Sequence, residues 1–393
     1  MRKTAVLLLT LGIAACAGEA EATREQGESQ DGLTLEAAYP ESFGMVRGVR
    51  ELPDGSVLVA DPLAKTLLKL DMAAGTAETI GSEGQGPDEY RQPDIVYPLP
   101  AGKSLLIDLG NARLTVMEPD LSFGETFPLA SGRPGPGGDF QVRIPQAVDA
   151  QGRVYFRAQA MMMRGSDPPT HAPIMRWDPW GEMTEEVAQV QLPRREVSRS
   201  GAGGEQNVRI QQVPLTPEDG WAVGADGQMA IARVEAGYRL DWVRDGAVHE
   251  GSAVDFDPVP IGMAEKEEWI EGSARRGGGV SISIEASNND IRTTFARGGG
   301  GDEASVNDYQ WPEVKPPFEP NGVLVSPAGE AWVLRTAPAG AGVTYDVFDA
   351  DGAVRTQIKF DGSRRVIGFG AGSVYVVRFD EYDLQYLEKY SLS

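Results

Sequence analysis

Short apolar runs recur along this chain, and each follows a turn that ends in glycine. The run at 56–61 follows Asp54-Gly55, that at 104–108 follows Ala101-Gly102, and that at 154–156 follows Gln151-Gly152. Three more, at 229–232, 331–334 and 374–377, follow Asp226-Gly227, Ala328-Gly329 and Ala371-Gly372. A second apolar run trails each of them, at 67–71, 114–117, 174–177, 240–243, 345–348 and 387–390. Runs this short, rich in Val, Ile, Leu and aromatic residues and bounded by Gly and Asp, predict β-strands rather than helices. Most trailing runs lead into another glycine turn, such as Asp245-Gly246 or Asp351-Gly352, and then an outer strand.

The copies are regular. Where no insertion intervenes, their glycines lie 43 to 50 residues apart (Gly55, Gly102, Gly152; Gly329, Gly372). That interval is the period of a four-stranded propeller blade. The sixth copy ends at Ser393, soon after its third strand, whereas 33–39 (LTLEAAY) lies ahead of the first copy without a partner. Pairing the two closes a ring and covers both free edges. The chain is therefore expected to be all-β: one six-bladed β-propeller over 33–393, with an N-terminal strand closing the last blade.

Three stretches break the period: 158–173 inside the third copy, 191–219 between the third and fourth, and 257–320 between the fourth and fifth. Links between blades, and turns between second and third strands, emerge at one end of a propeller, so all three are expected to crown the same end. The longest begins with an amphipathic pattern over 262–276, predicted to be a short helix. Residues 280–284 alternate like a strand, and 291–295 returns as its hairpin partner. Residues 311–318 (WPEVKPPF) read as extended chain. Because loop length costs little closure entropy, shortening 262–301 is expected to leave the ring folded.

Composition narrows the function. The 393 residues carry a formal net charge of −22, which argues against binding nucleic acid or anionic lipid through bulk charge. Two histidines make a His-rich zinc site improbable, and a single cysteine excludes an internal disulfide. That cysteine has a particular place. Arg2 and Lys3 precede a short apolar stretch, too short to span a bilayer, that ends Ile13-Ala14-Ala15-Cys16. This resembles the lipobox of bacterial lipoproteins, which implies a signal peptide over 1–15 and a lipid on Cys16. Residues 16–32, rich in Glu, Gln and Ser, then read as an acidic flexible tether. Ala17 in place of an aspartate implies the outer membrane of a double-membrane host.

Residues 84–93 (GQGPDEYRQP), the strand ending at Asp108, and Asn111-Ala112-Arg113-Leu114-Thr115-Val116 resemble the NHL-type repeat of six-bladed propellers. The likeness is partial in the first copy (Asp61, Lys65), faint in the third, and absent beyond. It implies a fold rather than an activity.

No Gly-x-Ser-x-Gly elbow, P-loop or Gly-x-Gly-x-x-Gly is present. His171 and His249 read as surface residues, and Met161-Met162-Met163 as apolar cover rather than a soft-metal site. Lactonase-type six-bladed propellers hold calcium with Glu, Asn and Asp oxygens, and Asp61, Asp108 and Asn111 invite that comparison. Their place after the second strand points instead to capping of backbone amides. Tyr90 is expected to wedge between blades, with Glu89 and Arg91 paired beside it. Trp269, Arg275 and Arg276 on the predicted helix are the leading contact residues, since aromatics and arginines dominate binding hot spots; Glu89, Tyr90 and Arg91 form a second set. The leading expectation is a lipid-anchored, non-enzymatic binding or scaffold module of the cell envelope for a protein, peptide or glycan, without a cofactor. The alternative is a metal-dependent propeller hydrolase or lactonase using calcium.

Overall fold

The computed structural model describes residues 29–30, 32–133, 140–158, 167–181, 183–200, 207–275, 280–286, 291–297, 305–360 and 362–392. Six antiparallel sheets follow one another, each built from the inside of a ring outward. Blade one is Val49–Glu51, Val57–Asp61, Thr66–Asp71 and Thr76–Thr79. Blade two is Pro93–Pro98, Ser104–Asp108, Arg113–Met117 and Phe123–Pro128. Blade three is Ala147–Val148, Val154–Arg157, His171–Trp177 and Thr184–Gln191. Blade four is Gly220–Val223, Met229–Arg233, Arg239–Arg244 and Ala247–His249. Blade five is Phe318–Val325, Ala331–Arg335, Val343–Phe348 and Val354–Phe360. Blade six holds Arg364–Phe369, Ser373–Phe379 and Gln385–Leu392, and its outer strand is Leu33–Ala38 from the other end of the chain. The protein is a six-bladed β-propeller closed as its sequence predicts.

Closure has a definite register. Leu33 pairs with Leu392, Leu35 with Tyr390 and Ala38 with Glu388. The Tyr39 N–H then donates to the Leu387 carbonyl at 2.8 Å and that of Phe43 to Gln385 at 2.8 Å. Ser29–Gln30, within the expected tether, add a short fifth strand on Thr34 and Leu33.

Why the second strands are apolar on both faces through their centres is visible in their packing. Val57 and Val59 enter the seam with blade six, while Leu58 and Ala60 enter the seam with blade two. Likewise Tyr375 and Val377 face blade one, and Val374 and Val376 face blade five. A strand whose side chains alternate between two buried faces needs no polar face. Burying each such Val, Leu or Tyr is worth roughly 1.5–3 kcal/mol.

The glycine that opens each copy is a matter of backbone conformation. Gly55, Gly102, Gly152, Gly227, Gly329 and Gly372 all lie at φ between 76° and 85°. A Cβ at Gly55, Gly329 or Gly372 would meet nothing within 4 Å, so the left-handed conformation, not space, selects glycine there. These turns sit at one end of the ring. The described parts of the insertions rise at the other.

Candidate functional site at the crown

The connection from blade four to blade five leaves after His249, folds a helix at Met263–Arg275 and a hairpin of Ser281–Ala286 with Ile291–Ala296, and returns to the ring at Phe318. Helix and hairpin match the sequence expectation. The first strand of blade five begins inside the expected insertion, because 318–325 is needed as its inner strand. The link between blades three and four holds a hairpin that the sequence reading did not foresee, Arg195–Ser200 with Asn207–Gln212.

The helix rests on the turn between the second and third strands of blade five. Glu265 and Glu268 accept the Ala339 and Gly340 N–H groups, both at 3.2 Å. The buried Lys315 ammonium donates to the Ala337 carbonyl at 2.9 Å and lies 3.3 Å from Glu268. Trp269 projects from the helix against Tyr309 and Trp311, with ring centroids 5.1 and 5.6 Å away and planes at 71° and 87°. The Lys266 ammonium lies 5.9 Å from the Trp311 ring centroid, spaced from Trp269 by one helical turn.

The hairpin reaches across the mouth of the ring to blade two. Phe295 is buried in the core cluster shared by blades two and three. The Gln92 side-chain amide pairs with the backbone of Arg297, donating to its carbonyl and accepting from its N–H, each at 2.8 Å. The Arg297 guanidinium closes on Asp94, with Nη2 2.9 Å from Oδ2 and Nε also bonded. Arg47 meets the same carboxylate at 2.8 Å. Asp94 is 1% exposed and Arg297 7%. Tyr97 lies beside them, and burial drives its hydroxyl pKa upward. The hairpin is thus part of the ring's packing, so shortening 262–301 removes core contacts rather than a dispensable loop.

The expected contact residues separate. Trp269 belongs to the aromatic cluster, Arg275 ends the helix, and Arg276 lies outside the described residues. Tyr90 is only 1% exposed, wedged between blades one and two, with its hydroxyl accepting the Leu67 N–H at 3.1 Å. It therefore serves the seam and offers no contact surface. Glu89 does not pair with Arg91. Its carboxylate folds back to accept the Gly86 N–H at 2.6 Å, and its carbonyl accepts from Arg113 at 2.7 Å.

The carboxylates compared with a calcium site are engaged with the chain itself. Asp61 accepts from the N–H groups of Leu63 (2.9 Å), Ala64 (3.0 Å) and Gly44 (2.7 Å). Asp108 accepts from the Arg91 and Gln92 N–H groups at 3.1 Å and from the Asn111 amide at 2.7 Å. Each ties the incoming link to its own blade, the amide-capping role expected of it. Among the described residues, no three His, Cys, Asp or Glu side chains converge as a metal site. His171 and His249 are exposed, as expected, and Met161-Met162-Met163 lie outside the described residues.

Sequence reasoning missed a set of buried acids in the third strands of blades four, five and six. Asp241 meets Arg233 and Arg239 at 3.1 and 2.9 Å, and Glu388 meets Arg364 and Arg378 at 2.9 and 3.1 Å. Asp346 accepts from the Tyr238 hydroxyl at 2.9 Å and from Gln357 at 2.8 Å. Their signal was present as a lone acid inside an apolar strand at each position. At the inner end of blade four, burial raises the Glu218 carboxyl pKa although Arg157 lies 3.0 Å away.

The blade count and ring closure define the class, a six-bladed propeller. No protein-family model matches the chain, and no curated protein matches it. Among solved structures, a member of the DUF4221 family from Bacteroides vulgatus is 11% identical, with 92% of this chain and 99% of that one covered and a TM-score of 0.49. A gluconolactonase from Xanthomonas campestris is 14% identical over 92% and 89%, with a TM-score of 0.42. The PQQ-bound form of an aldose sugar dehydrogenase from Streptomyces coelicolor is 13% identical over 92% and 99%, with a TM-score of 0.43. Among the described residues, no helix is long and apolar enough to cross a membrane.

Proposed function

We propose that this protein is an exported, lipid-anchored propeller that binds a ligand of the cell envelope through its crown. One observation carries the proposal: two long links, 192–219 and 250–317, meet each other above one end of the ring. Gln211 donates to the Asp308 carbonyl at 2.9 Å across them. Neither the hairpin at 195–212 nor the Trp269 cluster is needed to close the blades, and elaborate loops on one face of a rigid scaffold commonly carry recognition. The direction of the chain supports the same reading. Leu33 pairs with Leu392, whose N–H donates to Gly372 in a turn at the end opposite the crown. A lipid on Cys16 would therefore hold that end toward the membrane and leave the crown facing outward.

The test uses residues 17–393 immobilised and exposed to separated envelope fractions: proteins, peptidoglycan and polysaccharide. Two variants are compared with the parent, Trp269→Ala and replacement of 196–211 by a short Gly-Ser link. Retention lost in either variant, with melting unchanged, supports the crown. Equal retention by all three proteins moves the site to the opposite end and overturns the proposal.

A further inference from the structure

We infer that the seam between the two crown insertions is a binding site for a neutral saccharide ring; this rests on the crown being the recognition surface. A cavity of ≈ 230 Å³ opens there. Glu196, Gln211 and Gln212 line it from the hairpin, and Asn307, Tyr309 and Gln310 from the other link. Pockets for drug-sized ligands run to roughly 300–1,000 Å³, so this one takes about a single ring.

The lining selects the chemistry. Side-chain amides offer donors and acceptors together, which is what a ligand of alternating hydroxyl groups requires. Among the described residues no lysine or arginine lines the cavity, and the chain carries a net charge of −22, which together disfavour an anionic ligand. Two acids are present, yet Asp308 is committed to the Ser305 N–H at 2.7 Å in the cap of its short helix. One carboxylate among several amides matches hydroxyl donors better than a polycation. Val213 is the one aliphatic residue of the wall among the described residues, which leaves an apolar ligand little cover.

The walls are also fixed. The Gln211–Asp308 bond joins the two links. Tyr309 is packed edge-on between Trp269 and Trp311, with centroids 5.1 and 5.9 Å away. A rigid aromatic wall beside convergent polar groups presents the apolar C–H face and the hydroxyl edge of a sugar with separate partners.

The experiment titrates residues 17–393 with glucose, galactose, N-acetylglucosamine and cellobiose, and with glucuronate and a lysine-rich peptide as charged controls. Tryptophan fluorescence and calorimetry give the readout. At least one neutral sugar should bind, and Gln212→Ala and Asn307→Ala should each weaken it at least fivefold. Both positions are at the surface, so melting should stay within a degree or two; Glu196→Gln serves as a third variant that keeps the side chain's size. Absence of binding to every neutral sugar overturns the inference, as does preference for either charged control or binding unchanged in all three variants. If envelope retention still depends on Trp269 while no sugar binds, this inference fails and the crown function stands. If neither is seen, both fail.

Discussion

Asp94 and Arg297 are 203 residues apart in sequence and share a two-point ion pair inside the ring, with Arg297 Nη2 2.9 Å from Asp94 Oδ2. The pair fastens an arm that leaves between blades four and five to blade two, across the mouth. Removing one member of a buried pair leaves the other charge desolvated and unpaired, at a cost of about 3–5 kcal/mol. Asp94→Ala should lower unfolding free energy by that order and speed hydrogen exchange at 291–297. Arg47→Ala, at a side chain 38% exposed, should cost about 1 kcal/mol or less. Denaturant titration with amide exchange checks both, and equal effects would mean that the arm is not held by this pair.

Tyr90 is predicted to act through the seam. Tyr90→Phe keeps the ring packing but leaves the Leu67 N–H without its acceptor, costing about 1–3 kcal/mol. Tyr90→Ala should cost about 3–5 kcal/mol. The two melting temperatures should fall in that order, and ligand retention by Tyr90→Phe should match the parent.

Backbone conformation gives a substitution that stabilises. Ala101 and Gly102 lie at φ 58° and 76°, both left-handed, as a type I′ hairpin requires. Ala101 is exposed, so Asn, which tolerates this conformation, should raise stability by about 0.5–1 kcal/mol. Gly102→Ala should lower it by about 1–2 kcal/mol without any clash, since a Cβ there meets only Pro119 at 3.8 Å. Paired thermal melts give the two signs.

Alkaline pH should unfold the propeller. Burial raises the Tyr155 and Tyr345 hydroxyl pKa values to about 12, and those of Tyr238, Tyr375 and Tyr390 are also raised. An unfolded tyrosine titrates at about 10, so the folded state holds these protons more tightly. Their contribution is fully present below about pH 10 and is lost as pH rises toward about 12. Phenolate absorbance should therefore appear in two steps, exposed tyrosines first and buried ones together with the loss of circular dichroism. A single gradual step with the fold intact would contradict this.

Cys16→Ser should release the protein from membranes into the soluble fraction, because the proposed anchor is the lipid on that thiol. Fractionation after a high-salt wash decides it. A variant that stays in the membrane fraction would remove the lipoprotein reading and leave the propeller unaffected.

The amino-acid sequence by itself determined the blades. Strand pairing in a propeller is local, repeats every 43 to 50 residues, and marks each copy with a left-handed glycine and a doubly buried apolar strand. Those are one-dimensional signals, so the second and third strands, the closing strand at 33–38 and the helix and hairpin of the long insertion were all legible. Only the tertiary structure decided what those elements touch. The hairpin at 195–212 escaped because only Val197, Val208 and Ile210 are apolar in its two strands, too few to mark a buried face. The pairing of Asp94 with Arg297, and the seam joining Gln211 to Asp308, depend on the ring bringing distant links together. No period carries such information, since the partner of a charged side chain is whichever group the fold delivers to it.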